Sequence, residues 1–319
     1  MRYYLSLLGC LLAVAVLLSA GCQRDVNDGE SVLSAKKILK QIQHGKPITV
    51  SYKTISGVLD FTKVCGSNKK LDVSAVYIPV EISFRNCVFE DSVVAFCTDP
   101  DTRRDVFSVF ERNVNFLDCD FKSALVMRQV DFRGRFDFDL SKVAGESDFS
   151  GSHFGRGVSF CKANFNDDTY FVSCNFDGRA NFFKVFFRNA AVLQYVRFND
   201  VAMFTDSYFY GGVDMSKIFA SSSIDFANTK FSGNVIMSNS QYLGDLRLVA
   251  CQFSKSLSML NNKIYGTLNL SKSQMGVQLN VADNVLYMEP ELGDYLVPDS
   301  CTVVQNGNRI LTTVVKQIF

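Results

Sequence analysis

The feature that most constrains the fold is an apolar residue that recurs every 11 positions. From Phe116 to Val281, sixteen successive positions at this period are all Phe, Leu, Met or Val. A second series, from Phe110 to Leu286, contributes seventeen more apolar residues at the same period. The two series interleave at alternating intervals of five and six residues. This pattern predicts a repeat array in which stacked units bury what a single unit cannot.

The residues around each periodic position, which we call an anchor, predict short strands. Cys119, Asp120 and Phe121 show the usual order of small, polar and large apolar residues, an alternation of period two. Many anchors of the second series are followed two residues later by glycine. These glycines are Gly134, Gly145, Gly178, Gly211, Gly233, Gly244 and Gly266. Because glycine adopts positive φ at little cost, we predict a left-handed corner there, within the six-residue interval.

The five-residue segments at 163–167 and 174–178 carry a family resemblance. Each has a small residue, then Asn, then Phe, then two further residues of turn-forming type. They resemble the pentapeptide-repeat family, with one inserted residue in every second repeat. The resemblance implies an all-β fold, a right-handed four-sided β-helix with about 22 residues per coil. We assign it to residues 46–288.

Both ends of the array carry signs of caps. Residues 31–45 predict an N-terminal capping helix that begins at Ser31 and ends at Gly45. Its lysines indicate a solvated face or a contact with anionic lipid. Residues 289–319 predict a C-terminal cap, a hairpin that turns at Asn306-Gly307, with a free tail as the alternative. The irregular stretch 97–105 predicts a loop that leaves one corner of the array.

The first 21 residues predict an export signal. A positive start and an uncharged apolar stretch are followed by a segment that resembles the lipobox of bacterial lipoproteins, Leu18-Ser19-Ala20-Gly21-Cys22. The resemblance implies lipidation of Cys22, a membrane anchor, a location in the cell envelope and, from Gln23, the outer membrane of a Gram-negative cell. Residues 22–30 predict a flexible tether. An uncleaved anchor and a plain signal peptide are the alternatives.

The cysteines suggest buried thiols more than a metal cluster. Four of them stand two positions before an anchor, where small buried side chains are expected: Cys87, Cys119, Cys174 and Cys251. The spacing of 22 also allows a disulfide between Cys65 and Cys87, or between Cys97 and Cys119. No C-x-x-C motif occurs, so we expect no metal and no cofactor.

Function is expected on the outer surface. Phe183, Phe186, Tyr208 and Tyr210 are aromatic residues outside the anchor series, and they predict a contact patch for a protein partner or for self-association. The alternative is ordinary aromatic cover on a flat sheet. The function that we expect is therefore a non-catalytic, lipid-anchored scaffold for protein–protein interaction.

Two other classes of function are less well supported. A polysaccharide-acting enzyme would need surface carboxylates, for which Asp137, Asp139 and Asp148 are the candidates, but Asp is also an ordinary outward residue of such repeats. A gyrase-protecting DNA mimic would need an acidic surface. The chain has 33 basic and 32 acidic residues, which argues against mimicry and against nucleic-acid binding through bulk charge.

Overall fold

The computed structural model describes residues 31–64 and 74–311, and it confirms the four-sided β-solenoid. The solenoid has about 12 stacked turns, each of about 22 residues, and the strands of successive turns form four parallel sheets. The chain visits the sheets in a constant order, and we number them face 1 to face 4 in that order. Cys22, Cys65 and the segments 1–30 and 312–319 lie outside the described residues.

The strands of each face are short, and most contain two residues. Face 1 contains Ile48–Ser51, Ile82–Arg85, Val114–Leu117, Phe136–Asp137, Val158–Ser159, Ala180–Asn181, Ala202–Met203, Ile224–Asp225, Leu246–Arg247 and Leu268–Asn269. Face 2 contains Val32–Ser34, Thr54–Ser56, Val88–Phe89, Asp120–Phe121, Lys142–Val143, Asn164–Phe165, Phe186–Phe187, Tyr208–Phe209, Lys230–Phe231 and Gln252–Phe253. Face 3 contains Leu59–Asp60, Val93–Val94, Leu125–Val126, Ser147–Asp148, Thr169–Tyr170, Ala191–Val192, Val213–Asp214, Val235–Ile236, Ser256–Ser258, Gln278–Asn280 and Thr302–Val304. Face 4 contains Ala75–Ile78, Phe96–Thr98, Asp105–Phe110, Asp131–Phe132, His153–Phe154, Asn175–Phe176, Arg197–Phe198, Phe219–Ala220, Gln241–Tyr242, Lys263–Ile264, Val285–Leu286 and Arg309–Ile310.

The anchors form the core, as the period predicts. Phe154 pairs with Phe176 in parallel register, and their rings stack with centroids 4.8 Å apart and planes 2° apart. Both side chains are fully buried. Repetition of this stack along the solenoid removes apolar surface from water. Each Å² of buried apolar surface contributes roughly 25 cal/mol to stability. Polar residues between the anchors face outward, so the sides of the solenoid are available for contacts.

The N-terminal cap differs from the sequence prediction in its first residues. The helix, α1, runs from Ala35 to Gln43, and the strand Val32–Ser34 precedes it. That strand pairs with Thr54–Ser56 and extends face 2 by one strand. The pairing satisfies the hydrogen-bonding edge of Thr54–Ser56, which a helix beginning at Ser31 would leave open. Ser31 is therefore not the N-cap. The helix buries Ile38 and Ile42 over the end of the solenoid.

The predicted loop at 97–105 contains an antiparallel hairpin. Phe96–Thr98 pairs with the first half of Asp105–Phe110, and the hairpin projects from face 4. It lengthens this coil, so that residues 32 positions apart stack here, as Val88 and Asp120 do. The regular offset of 22 resumes with Asp120 and Lys142.

The predicted C-terminal hairpin is wrong. Thr302–Val304 pairs in parallel with Gln278–Asn280, and Arg309–Ile310 pairs in parallel with Val285–Leu286. The segment is a further coil, so the solenoid continues past residue 288. Stacking gives each strand the exposed edge of the coil below, whereas a hairpin would satisfy only its own two strands. Gly307, with φ of 74°, turns the corner between the two strands.

The predicted position of the left-handed corners is also wrong. Positive φ occurs two residues after the first-series anchors, in the five-residue interval, at residues such as Leu140, Lys184 and Asp206. The glycines after the second-series anchors serve another purpose. A Cβ on Gly211 would lie closer than 3.0 Å to backbone atoms of Asn189, the equivalent residue one coil earlier. Close approach between coils, and not positive φ, selects glycine there.

Candidate interaction surface on face 2

The structure brings three of the four predicted patch residues together on face 2. Phe186 and Tyr208 are paired residues of adjacent coils, and their rings stack with centroids 5.0 Å apart and planes 6° apart. The ring of Tyr210 lies 6.2 Å from that of Tyr208. Phe183 is placed separately, at the preceding corner, with the Lys184 ammonium 4.9 Å from its ring centroid.

The stacking direction decides what these rings offer to a partner. Phe186 and Tyr208 face each other along the solenoid axis, so their ring faces are turned toward neighbouring coils. Their edges point away from the sheet. The edge of an aromatic ring carries partial positive charge, whereas its face is negative. A partner that approaches face 2 from outside therefore meets the positive part of each ring.

Cationic side chains surround the stack. The Arg188 guanidinium lies 4.6 Å from the ring centroid of Tyr210 and 5.6 Å from that of Phe186. The Lys230 ammonium lies 5.5 Å from the ring centroid of Tyr208. Each contact is a cation–π interaction, which holds the cation without neutralising its charge. We call Phe186, Tyr208, Tyr210, Lys184, Arg188 and Lys230 the aromatic–cationic surface.

An open depression of about 540 Å³ lies within this surface. Phe186, Tyr208 and Lys230 line one side of it, and Lys162 and Lys184 line the side toward the preceding corner. Asp206 is the carboxylate at this depression, 3.8 Å from the Lys184 ammonium. Three lysines against one aspartate give the depression a net positive charge.

At several other places in residues 31–64 and 74–311, cations are matched by carboxylates. Arg135 pairs with Asp137 at 2.7 Å, Arg133 with Asp131 at 2.9 Å, and Lys142 with Asp120 at 3.1 Å. Arg188 instead lies near a neutral amide, with Nε 3.4 Å from Asn164 Oδ1. The aromatic–cationic surface therefore has positive charge that its own side chains leave uncompensated.

The sequence analysis identified the rings but missed the cations. Arg188 and Lys230 could have been found by the same offset of 22 that joins Phe186 to Tyr208, because Lys230 is the next residue of that column and Arg188 stands 22 positions before Tyr210. Asp137 and Asp139 lie on face 1 and its following corner, and Asp148 lies on face 3. Asp137 holds Arg135, Asp139 accepts hydrogen bonds from the Cys161 N–H and the Ser159 hydroxyl, and Asp148 lies 3.3 Å from Arg128.

The expectation of buried thiols is confirmed at Cys87, Cys119, Cys174 and Cys251. In the observed register Cys87 stacks between Lys53 and Cys119. The spacing of 22 had suggested Cys65 as its neighbour. Cys97 pairs with Val106 in the hairpin and does not stack on Cys119, so the predicted Cys97–Cys119 neighbourhood is wrong. The Cys65–Cys87 disulfide stays a prediction, since Cys65 lies outside the described residues.

Comparison with models of known protein families, with characterised proteins and with solved structures returns no match for this chain. Within residues 31–64 and 74–311, no helix has the length and apolar character needed to cross a membrane. In the same residues, no three His, Cys, Asp or Glu side chains gather as metal ligands would.

Proposed function

We propose that this chain is a non-catalytic lipoprotein of the bacterial cell envelope, in which a β-helix of the pentapeptide-repeat kind acts as a rigid scaffold for protein–protein interaction. The lipobox-like segment before Cys22 supports an acylated N-terminus held in a membrane leaflet, at the outer membrane in a Gram-negative cell. Buried acyl chains contribute about 0.8 kcal/mol per CH₂, so several chains anchor a protein firmly. Residues 22–30 then separate the solenoid from the lipid.

The observation that carries the interaction role is the uncompensated positive charge of the aromatic–cationic surface. Positive ring edges and the Arg188 and Lys230 cations all favour an anionic contact. We therefore assign to this surface a protein partner that presents carboxylates. The fixed spacing of stacked coils, about 4.8 Å, keeps the contact groups in place without loss of loop entropy on binding.

Membrane fractionation of cells that express the wild type or Cys22→Ala tests the anchor. We expect the wild type in the membrane fraction and the variant in the soluble fraction. Protease added to intact cells then reports whether the scaffold faces outward or the periplasm. Equal solubility of both proteins would contradict lipid anchoring.

Site-specific crosslinking tests the interaction role. A photo-crosslinking residue at Tyr210 should give a discrete adduct in cells, whereas the same residue at Tyr170 on face 3 should not. The double change Arg188→Glu with Lys230→Glu should remove the adduct, because it replaces by anions two cations that have no carboxylate partner in the described part of the chain. Lys142→Glu is the matched control on face 2, since Lys142 already has Asp120 as a partner. An adduct that survives the double reversal would contradict the acidic partner, and an adduct with a second copy of the chain would replace it by self-association.

A further inference from the structure

We propose that Cys87 and Cys119, which are free thiols in this structure, form on oxidation a disulfide bond that links two successive coils of the solenoid. The two residues occupy the same inward position of face 2, immediately before the paired residues Val88 and Asp120. Adjacent strands lie about 4.8 Å apart, which is within the Cα separation of roughly 4.4 to 6.8 Å that disulfides need. Cys87 is 1% exposed and Cys119 is 2% exposed, so both side chains are directed into the solenoid.

The place of this pair in the fold gives the bond a structural role. The stretch between the two cysteines contains the hairpin formed by Phe96–Thr98 and Asp105–Phe110. In this coil residues 32 positions apart stack, and the offset of 22 follows from Asp120 and Lys142 onward. A bond from Cys87 to Cys119 would close that irregular coil and hold its two ends in register.

Equivalent side chains elsewhere show what is unusual about Cys119. Ser141 donates a hydrogen bond to the carbonyl oxygen of Phe116 in the coil below, and Cys174 donates in the same way to Phe149. The Cys119 sulfur lies instead 3.5 Å from the carbonyl oxygen of Leu117, in its own coil. Cys174 stacks between Ser152 and Val196, so it has no neighbouring thiol in its column. The Cys87–Cys119 pair is thus a stacked thiol pair, whereas Cys174 is a single thiol.

The surroundings also suit thiol–disulfide exchange. The Cys119 thiol lowers the pKa of Cys87, and Cys87 in turn raises the pKa of Cys119, so a thiolate forms first at Cys87. The thiolate is the attacking species in exchange. Both cysteines line an open depression of about 330 Å³, together with Asn86, Asp118 and Lys142.

A small-molecule disulfide such as glutathione disulfide is the oxidant that completes the reaction. The Cys87 thiolate attacks one glutathione sulfur, and a glutathione thiolate leaves with the electron pair of the broken S–S bond. Cys119 then loses its proton and attacks the Cys87 sulfur of the mixed disulfide, which releases the second glutathione thiolate. Two electrons pass from the protein to the oxidant, and the two protons of the cysteine thiols are taken up by the two glutathione thiolates.

Mass spectrometry of the full-length chain tests the proposal. The reduced protein is treated with glutathione disulfide, unfolded, alkylated and digested without reduction. We expect a linked peptide that contains Cys87 and Cys119, loss of two alkylation sites relative to the reduced protein, and full alkylation of Cys174. Alkylation of Cys87 and Cys119 after this treatment would overturn the proposal, as would a peptide that links Cys87 to Cys65.

Two serine variants separate the cross-link from general effects on folding. Cys119→Ser should fold, because Ser141 occupies the next position of the same column, and it should lose the linked peptide. Cys174→Ser should keep it. Oxidation should raise the Tm of the wild type and of Cys174→Ser and leave that of Cys119→Ser unchanged. A linked Cys87 in the Cys119→Ser variant would contradict the assignment.

Discussion

Individual residues at the corners carry two different backbone constraints. After the first-series anchors the corner residue has positive φ, and side chains as large as Leu140 and Tyr195 adopt it. After the second-series anchors the constraint is the short distance to the backbone of the coil below, which leaves no room for a Cβ at Gly211 and Gly244. Non-glycine residues in the left-handed region cost roughly 1 kcal/mol each, so the repeat tolerates strain at one corner and steric restriction at the other.

Two adjacent glycines separate steric restriction from chain flexibility. We expect Gly211→Ala to reduce the free energy of unfolding by about 1 to 3 kcal/mol, because the new methyl group would meet the Asn189 backbone. Gly212→Ala is the matched control: the nearest atom to its Cβ would be the Asn234 carbonyl oxygen at 3.7 Å. Its expected change is within about 0.5 kcal/mol. Urea unfolding followed by circular dichroism measures both, and equal losses would contradict this explanation of the glycines.

Buried serines offer a second contrast at the same scale. The Ser207 hydroxyl donates to the Phe182 carbonyl oxygen at 2.6 Å and accepts from the Val185 N–H at 3.0 Å. Ser207→Ala removes both hydrogen bonds and leaves the Val185 N–H and the Phe182 carbonyl oxygen with their longer mutual bond of 3.3 Å, so it should cost about 1 to 3 kcal/mol of unfolding free energy. Ser147 is equally buried, but its hydroxyl has no hydrogen-bond partner within residues 31–64 and 74–311. Ser147→Ala should therefore be neutral or stabilising in the same denaturation measurement, and a loss as large as that of Ser207→Ala would refute the distinction.

The sequence predicted the anchors correctly and the corners incorrectly for a physical reason. An apolar residue at a fixed period has one simple explanation, which is burial in a repeated core. Glycine has two, positive φ and the absence of a Cβ, and a single sequence does not distinguish them. The left-handed positions could not be identified by composition either, because Lys184, Asp206 and Ala250 share only their place in the period.

Among the secondary-structure elements, the strands of face 4 carry a titratable ladder. His153 Nδ1 lies 2.9 Å from Asp131 Oδ1, and Nε2 lies 2.7 Å from Asp177 Oδ2. Partial burial lowers the pKa of His153, but the hydrogen bonds with Asp177 and Asp131 outweigh it and raise the pKa. The hydrogen bond with His153 lowers the pKa of Asp177. Strands from three successive coils are thus joined by one imidazole.

The sign of these shifts predicts how stability depends on pH. The contribution of His153 is complete below its unfolded pKa of about 6.5 and is lost as pH rises through the raised folded value. The contribution of Asp177 is present above about pH 3.9 and is lost as pH falls through its lowered folded value. We expect the wild type to exceed His153→Gln in unfolding free energy most clearly between roughly pH 4 and 6.5. Denaturant titrations at pH 5.5 and pH 8.5 test this, and a larger difference at pH 8.5 would show that the sign is wrong.

The end elements were harder to predict than the central strands. Residues 302–310 have the alternation and the Asn-Gly turn of a hairpin, and residues 32–34 directly precede a helical pattern. In both places an open edge of a neighbouring coil recruits the segment as a parallel strand. That edge is a tertiary feature, so local sequence patterns do not report it.

At the scale of the whole solenoid, each coil contacts mainly its neighbours, and stability should be distributed accordingly. Ile38→Asp places a charge in the fully buried contact between α1 and the first coil. We expect loss of hydrogen-exchange protection that is greatest in residues 48–61 and fades toward Phe253. Lys36→Asp, an exposed change on the same helix, should leave protection unchanged. Uniform loss along the whole chain would indicate a single cooperative unit instead.

The interaction surface was only partly accessible to sequence reasoning. Phe186 and Tyr208 stand out because they are aromatic residues outside the anchor series, and the offset of 22 correctly places them together. The contribution of charge to this surface could be recognised only from the structure. Whether a cation is neutralised depends on which carboxylate the register brings beside it. The register places Asp137 beside Arg135, whereas among the residues that the structure describes it places the neutral Asn164 amide beside Arg188.

The direction of the hydrogen bonds between coils has a mechanical consequence. Backbone bonds such as that from the Asn175 N–H to the Ser152 carbonyl oxygen run along the axis from one coil to the next. A force applied at the two ends would act along these bonds and break them one after another, whereas shear would load many of them at once. The terminal coil would therefore peel first while the others stayed intact. Over the regular coils that follow Asp120, each peeled coil would release about 22 residues of slack at a nearly constant force. A scaffold of this kind would extend in equal steps under tension and keep its remaining contact surface in register.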